Sequence, residues 1–517
     1  MIKITRLNIR EYGYEYTFLS EKLAIEKSLS FVFKGSHYSP LVKEGKWDGY
    51  NRYFNKNNES FSVGMLNIVI ENLQNKKIDF GVNEKNFAVS NLVKADIGDN
   101  MMEHQKEALL KIFKERFGIV KSPVRSGKTY IFSEFCRIAL SKNKNERILF
   151  ITDGASLFEQ SLNDINSFLF KHGINVGGIR GKRFEQCHVV VATIQTLEVI
   201  LNGKSRGIDK IEDAEIKKIT LKERNARKRI LLNYFSGVTS LFVDECHEQT
   251  STSRISIIEK LQKNQLNYNI FLSATPFKSE DLKGKLNMMQ MGGDVIFEME
   301  EEELKERGVL SRDAVCLIYI NHDLNKNIEI EEGEMYRAYE KQVLTHNIHR
   351  NMLITTVVEM CNRFNLKTLV LFVIKQHGQY LSNMTGYEFL DGSFSIKQRI
   401  AITAKFLKSI GGVLLASNIF KKGITLPEVE VMINAGGGLE RANVTQKKGR
   451  VLGVTATKNK VLTIDFFDDF RYFKKHGVNR VKEYEEKVPS ENIFVFDSAD
   501  KDFFVDLRNF IEDWFNK

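Results

Sequence analysis

Between residues 100 and 300 the chain alternates short apolar runs with amphipathic stretches. The runs lie at 118–120 (GIV), 148–151 (ILFI), 189–192 (VVVA), 240–243 (SLFV) and 269–272 (NIFL). Runs this short suit strands covered on both faces, and the stretches between them have helical periodicity. Within 100–117, for example, Ala108, Leu109, Ile112 and Phe113 share one helical face. Strand–helix alternation of this kind predicts a parallel sheet with crossover helices. A second alternation has its runs at 369–374 (LVLFVI), 413–416 (VLLA), 429–433 (VEVMI) and 461–464 (VLTI). Ahead of both, residues 1–90 carry short alternating stretches (KITRLNI, SFVFKG, DFGVN) and the turn-like Gly-Lys-Trp-Asp-Gly at 45–49. The predicted fold class is α/β: two tandem parallel-sheet domains preceded by a small α+β N-terminal domain. The predicted boundaries are 1–92, 93–303 and 304–484, with a tail helix in 485–517. The acidic run EMEEEE, leading into LKERGVLSR, marks a linker near 298–312.

Two strand ends carry chemistry. Residues 122–129 read Ser-Pro-Val-Arg-Ser-Gly-Lys-Thr. A phosphate-binding loop needs backbone N–H groups around the phosphates, a lysine for the β- and γ-phosphates, and a hydroxyl on Mg²⁺. Lys128 and Thr129 supply the last two. Residues 244–247 read Asp-Glu-Cys-His, directly behind the SLFV run. Asp244 is suited to hold the metal and Glu245 to orient an attacking water. The two stretches together predict a protein that handles nucleoside triphosphates with Mg²⁺.

Charge and cysteine usage narrow the setting. The formal net charge is +10, which suits a polyanionic partner. Residues 201–235 interrupt the first alternation with a Lys/Arg-rich segment, readable as a solvated helical hairpin or as an insertion facing nucleic acid. The five cysteines are scattered and form no C-x-x-C pair, so neither a disulfide framework nor a zinc site is expected. No 18-residue apolar run appears, and the first residues (MIKITRLNIREYG) lack a signal peptide's apolar core. A cytoplasmic protein with no membrane partner is expected.

Further motifs follow in order. Ser273-Ala274-Thr275 ends a strand behind the acid pair; Gly423-Ile424-Thr425 and then Gln446-Lys447-Lys448-Gly449-Arg450 lie in the second alternation. Over about residues 100–470 this ordered set resembles the superfamily 2 helicases. Gly-Lys-Trp-Asp-Gly at 45–49 and Phe-Lys-Lys-His-Gly-Val-Asn-Arg at 473–480 resemble the phage UvsW-type recombination helicases in particular. The resemblance implies two RecA-like domains, ATP and Mg²⁺ as cofactors, and a role in remodelling branched DNA or R-loops during replication and recombination. It implies that Gln105 reads the adenine, and that Ser126, Gly127, Lys128, Thr129 and Asp244 bind the nucleotide, with Thr129 and Asp244 on Mg²⁺. Gln446 and Arg450 would reach the γ-phosphate, joining Lys128 and Glu245 as catalytic residues. His247, Ser273 and Thr275 would couple nucleotide state to nucleic-acid grip. Thr193, Gln195 and Thr196 from the first domain, and Lys375, Gly392 and Ser417 from the second, would touch the nucleic-acid backbone. The implied partners are forked or branched DNA, RNA–DNA hybrids, and single-strand-binding or recombination proteins. A monomer is implied, in the host-cell cytoplasm if the chain is phage-encoded.

The chain departs from the family pattern at two places. The motif usually continues Gly-Arg-x-x-Arg, and the second arginine's place is held by Gly453. Either Arg450 acts alone or Lys458 substitutes. Arg125 stands in the phosphate loop where small residues are usual. Three alternatives stay open: a DNA-translocating subunit of a restriction-like complex, an RNA helicase, and a nucleic-acid-binding or annealing protein with a weak ATPase. Trp47 and Tyr50 are candidates either for stacking on a base or for supporting a hairpin.

Overall fold

The alternating stretches of the N-terminus pair as β1 (Ile2–Arg6), β2 (Glu11–Glu15), β3 (Ser30–Val32), β4 (Tyr50–Arg52), β5 (Ser60–Ser62) and β6 (Phe80–Asn83). They form a sheet of order β5-β2-β1-β6 and a separate β3-β4 ribbon, with helices Leu19–Ser28 and Leu66–Asn75. Trp47 donates from Nε1 to the Tyr50 carbonyl at 2.9 Å, so it clamps the turn into the ribbon. This is the computed structural model of the chain; it describes residues 1–33, 35–84, 92, 96–201, 214–264, 266–277, 281–322, 340–417, 426–437, 448–449 and 451–516.

The N-terminal module does not stand apart. Residues 1–299 form one unit and 300–517 another. Ile2, Ile4, Val69 and Leu73 share a continuous apolar core with Phe117, Ile119, Met288 and Met291. At the seam Gly64 lies so close to helix Leu282–Gly292 that a Cβ there would meet the Met289 carbonyl oxygen at 2.4 Å. Arg10 adds guanidinium hydrogen bonds to the Gln262 carbonyl (2.5 Å) and side chain (3.0 Å), and Tyr53 bonds Asn287 at 3.0 Å.

The rest of the first unit is a RecA-like domain. Its strands are β7 (Phe117–Lys121), β8 (Ile148–Thr152), β9 (Val176–Arg180), β10 (Arg183–Phe184), β11 (Val189–Thr193), β12 (Ser240–Val243), β13 (Tyr268–Ser273) and β14 (Val295–Glu298). The sheet order is β10-β9-β11-β8-β12-β13-β7-β14, parallel except for the β10–β9 pair. Runs such as ILFIT and VVVAT are buried at every position, because helices cover both faces. Of the basic segment, helix Ala214–Ser236 is described; it buries Leu231, Tyr234 and Phe235 against the core.

The second unit is a second RecA-like domain. Its strands are β15 (Arg312–Asn321), β16 (Thr368–Phe372), β17 (Phe389–Leu390), β18 (Val413–Ser417), β19 (Val431–Asn434), β20 (Lys460–Asp469) and β21 (Ile493–Asp497). All run parallel, in the order β17-β18-β16-β19-β20-β15-β21. The segment after 485, expected to give a tail helix, also supplies the edge strand β21. The following helix Phe503–Asn516 buries Phe503, Leu507 and Ile511, and Trp514 packs at its end. The basic motif at 473–480 is structural at its end: Arg480 is buried, with Nε 2.9 Å from Asp465 Oδ2, and Tyr484 donates to the same carboxylate at 2.8 Å.

Gly64→Ala is expected to destabilise the first unit by about 1–3 kcal/mol, since its neighbour is backbone that must shift. Gly81→Ala is the control, because a Cβ there meets nothing within 4 Å. Thermal unfolding of the two variants checks the difference; equal melting would exclude the tight seam.

Candidate active site

In a parallel sheet buried on both faces, polar groups collect where the strands end. In the first domain three neighbouring strands, β12, β13 and β7, end in Asp244-Glu245, in Ser273-Ala274-Thr275 and in the phosphate loop. The Ser122 amide donates to the Ser273 carbonyl at 3.0 Å and stitches two of these ends together. The loop then turns into helix Lys128–Lys142 through Gly127, whose φ of 87° is left-handed. A Cβ on Gly127 would also meet Gln105 Nε2 at 2.2 Å and push that amide from its place, so the left-handed φ is what calls for glycine and the Gln105 contact adds to it. Arg125 adopts a left-handed φ of 72° as well.

Lys128 is held by its own loop, donating from Nζ to the Ser122 and Pro123 carbonyls, each at 2.9 Å. Buried His104 and Gln105, at the start of helix Glu103–Glu115, both reach the Ser126 carbonyl, at 2.9 and 3.1 Å. The other end of the Gln105 amide accepts from the Met102 amide at 3.1 Å. A primary amide has two N–H groups and two lone pairs, which leaves one of each for a purine edge. Ser126 is buried, and Thr129 is half-buried in the first turn of the helix behind the loop.

The acid pair is electrostatically loaded. Burial, and then the charge of Glu245, push the Asp244 carboxyl up to about 7, against the opposing pull of Lys128. Glu245 sits in a left-handed turn with φ of 45°. His247, buried, stands with Nδ1 2.9 Å from Ser273 Oγ and 3.5 Å from Glu245 Oε2. Ser273 Oγ in turn accepts from the Thr275 amide at 3.0 Å. The three residues expected to couple the site are thus joined in one chain of hydrogen bonds.

The candidate backbone contacts of this domain lie along the same edge, after β11. Thr193 is buried, with Oγ1 2.7 Å from Thr196 Oγ1, and Thr196 accepts from the Gly181 amide at 3.1 Å. Gln195 accepts from the Gly154 amide at 3.2 Å and donates to Asp153. Asp153 and Arg254 were not read from the sequence. Asp153 follows β8 and is buried; Arg254 lies 3.3 Å from it and donates to the Glu248 carbonyl at 2.7 Å. They link the turn behind the acid pair to Gln195. The Asp-Gly pair closing the ILFIT run was the signal for the first; Arg254 left none.

In the second domain Lys375, Gly392 and Ser417 converge. They follow or end β16, β17 and β18, adjacent strands whose tips share one edge. Lys375 is 62% exposed and pairs with Asp391 at 2.6 Å, and Gly392 accepts from Arg399 at 3.0 Å. Buried Arg350 stiffens the same edge, gripping Asp468 through Nε (2.7 Å) and a terminal nitrogen (3.0 Å) while donating to the Ala435 carbonyl. Burial opposes ionisation of Asp468, but Arg350 and His322 outweigh it and hold the carboxyl well below the usual range.

Gln446, Arg450 and Gly423–Thr425 lie outside the described residues. Their flanks are described. Gly453 is buried, bridges Leu310, and accepts from Ser311 Oγ at 3.1 Å. Lys458, the alternative to the second arginine, is buried and donates to the carbonyls of Pro427, Val451 and Gly453. Of the two alternatives for the missing arginine, this placement favours Arg450 acting alone, because the Lys458 ammonium is buried among backbone carbonyls.

Two family profiles match the chain, one described as "Type III restriction enzyme, res subunit" over residues 99–278 and one as "Helicase conserved C-terminal domain" over 338–453. A protein of Sulfolobus islandicus filamentous virus (isolate Iceland/Hveragerdi), named "Putative helicase 22", is 21% identical over 388 residues. That match takes in 70% of this chain and 63% of the relative, so the chain spans less than two thirds of that relative's length. Among solved structures, UvsW of phage T4 is 19% identical and covers 96% of this chain and 99% of its own, with a TM-score of 0.43. Dbp5 of S. cerevisiae, bound to RNA and ADP BeF3, is 13% identical and covers 80% of this chain and 93% of its own, with a TM-score of 0.53.

On a carboxyl raised to about 7, a metal held by Asp244 would compete with the proton, and higher pH would favour the metal. With ATP present, the Mg²⁺ concentration for half-saturation is expected to fall several-fold between about pH 6 and about pH 8 and then level off. A requirement that stays flat over that range would remove Asp244 from the metal site.

Proposed function

We propose that this chain is a superfamily 2 helicase, an ATP-driven motor that remodels branched DNA or RNA–DNA hybrids. The observation that carries the ATPase is the convergence of the phosphate loop, the acid pair and Ser-Ala-Thr on three adjacent strand ends, with Lys128 near enough to influence Asp244. The oxygen donors of Thr129 and Asp244 suit Mg²⁺, a hard cation. MgATP, when bound, supplies the phosphoryl group whose transfer to water drives the cycle.

This chain's residues then divide the work. Lys128 exchanges the Ser122 and Pro123 carbonyls for phosphate oxygens. Gln105 offers its remaining amide N–H and lone pair to the base. Glu245 orients the water and takes up its proton. Gln446 and Arg450 stabilise charge on the transferring phosphoryl group. His247, Ser273 and Thr275 carry the change at the acid pair into the neighbouring strand end. Lys375, Gly392 and Ser417 bind the nucleic-acid backbone, contacts that read no sequence. Thr193, Gln195 and Thr196 contact the same backbone from the first domain, exchanging the internal partners that order their loops. The sequence motifs that resemble the UvsW-type helicases, Gly-Lys-Trp-Asp-Gly among them, favour branched DNA as substrate. The restriction-enzyme profile supports a second reading, a translocating subunit that works on plain duplex.

Steady-state ATP hydrolysis with forked DNA, plain duplex, RNA and an RNA–DNA hybrid separates these readings. Forked DNA or the hybrid is expected to stimulate turnover most. Lys128→Ala and Glu245→Gln should each lower the stimulated rate by about a hundredfold or more. Best stimulation by plain duplex favours the restriction-type translocase, and best stimulation by RNA favours an RNA helicase. Hydrolysis no greater than in Glu245→Gln, with strand annealing retained, would replace the motor with an annealing protein.

A further inference from the structure

Helix Ala214–Ser236 turns Leu231, Tyr234 and Phe235 into the core of the first unit. It leaves Lys222 and Arg229 exposed, two turns apart, or about 10 Å along the axis, with Lys228 half-buried beside them. Arg227 is engaged inside the structure, where its Nη2 donates to the Gly181 carbonyl at 2.6 Å. Gly181 and Lys182 connect β9 to β10, and Gly181 takes a left-handed φ of 56°. The Gly181 amide donates to Thr196 Oγ1 at 3.1 Å. The connection is thereby fixed from two sides, to the basic helix and to the residues after β11. Lys182 is exposed on it. The basic residues on either side are paired, Arg180 with Glu159 at 2.6 Å and Arg183 with Glu185 at 2.9 Å. Among the described residues, Lys182, Lys222, Lys228 and Arg229 have no ion-pair partner.

We propose that Lys182, Lys222, Lys228 and Arg229 form a contact surface for the phosphate backbone of nucleic acid, outside the motifs and beyond β11. The proposal rests on the reading of nucleic acid as this chain's partner and assigns that partner a further surface. Like charges crowded on one helix destabilise it. Among the described side chains of residues 221–236, Glu223 is the one acid, against Lys222, Arg227, Lys228 and Arg229. A face built only for water interleaves both signs, as the chain does overall, with 76 basic and 66 acidic residues. A polyanion offsets the repulsion, and cations displayed on a packed helix bind phosphates without reading sequence. Arg227 acts as the brace: it holds the helix to the β9–β10 connection, so that Lys182 and the helix cations belong to one surface. Because β10 and β9 stand at the outer edge of the sheet, next to β11, this surface continues that edge away from the phosphate loop.

The test is the affinity for forked DNA in the absence of nucleotide, measured in the full chain across a range of salt. One variant carries Lys182→Gln, Lys222→Gln, Lys228→Gln and Arg229→Gln together; a second carries Lys182→Arg, Lys222→Arg and Lys228→Arg. Each phosphate contact adds about 0.7–0.9 to the steepness with which log K falls against log salt. The glutamine variant is expected to lose about two to three from that slope and to bind about tenfold or more weakly at about 0.1 M salt. Its unstimulated ATP hydrolysis is expected to stay that of the wild type. The arginine variant is expected to keep the wild-type slope and affinity. A glutamine variant with the wild-type slope overturns the proposal, whatever its affinity, and leaves the helix a solvated or protein-facing element. If that variant does not fold, Lys182→Gln with Lys222→Gln decides: a slope lower by about one or more supports the surface and an unchanged slope overturns it. The two levels of inference fail differently. A wild type that binds no nucleic acid defeats the partner reading and this surface with it. A wild type that binds but is not stimulated defeats the motor alone, and the slopes still decide the surface.

Discussion

A parallel strand covered on both faces can carry chemistry only at its tips, and both halves of this chain are built under that constraint. The interior of each sheet is nearly continuous Val, Ile, Leu and Phe, so most residues with charge or a reactive hydroxyl lie at a strand end or beyond it, while Asp465 inside β20 is matched by buried Arg480 and Tyr484. In the first domain the constraint gathers four motifs onto one edge without any of them being close in sequence. In the second it gathers Lys375, Gly392 and Ser417 in the same way. Changes in one loop are felt in its neighbours because the strands behind them are hydrogen-bonded and cannot yield separately.

The polar groups at these edges are largely engaged with one another. Lys128 grips its own loop, His247 leans on Ser273, Gln195 on Asp153, and Lys375 on Asp391. Such internal partners keep a binding edge ordered before a ligand arrives, and each must be traded for a better one when it does. The trade is nearly balanced for neutral hydrogen bonds and favourable where a phosphate oxygen replaces a carbonyl. An edge organised in this way responds to the ligand by exchanging partners, with little ordering left to do.

Legibility from sequence followed burial. The runs ILFI, VVVA and SLFV announced their strands because both faces are covered. β9 was missed: its two central residues are glycines, packed so closely that a Cβ on Gly177 would meet the Glu185 carbonyl oxygen at 2.3 Å. β21 was missed because its aromatic residues read as the apolar face of a helix, whereas it pairs at the sheet edge with β15. The phosphate loop and acid pair were legible because their chemistry demands contiguous residues. Asp153 and Arg254 were not, since each acts through partners that only the fold brings near. Lys448, Lys305 and Asp313 illustrate the same limit: sequence reasoning places lysines in water, and here two of them are sunk beside one carboxylate.

The N-terminal module clamps its ribbon with Trp47, and the last helix of the second unit ends in Trp514. These are the only two tryptophans in the chain. Each unit therefore carries one intrinsic fluorophore, and the emission of the native protein is the superposition of two local reports. Replacing Trp47 by Phe leaves a signal that belongs to the second unit alone, and replacing Trp514 by Phe leaves one that belongs to the first. The order in which the two units loosen under denaturant, or tighten around a ligand, can be followed optically without attaching a dye.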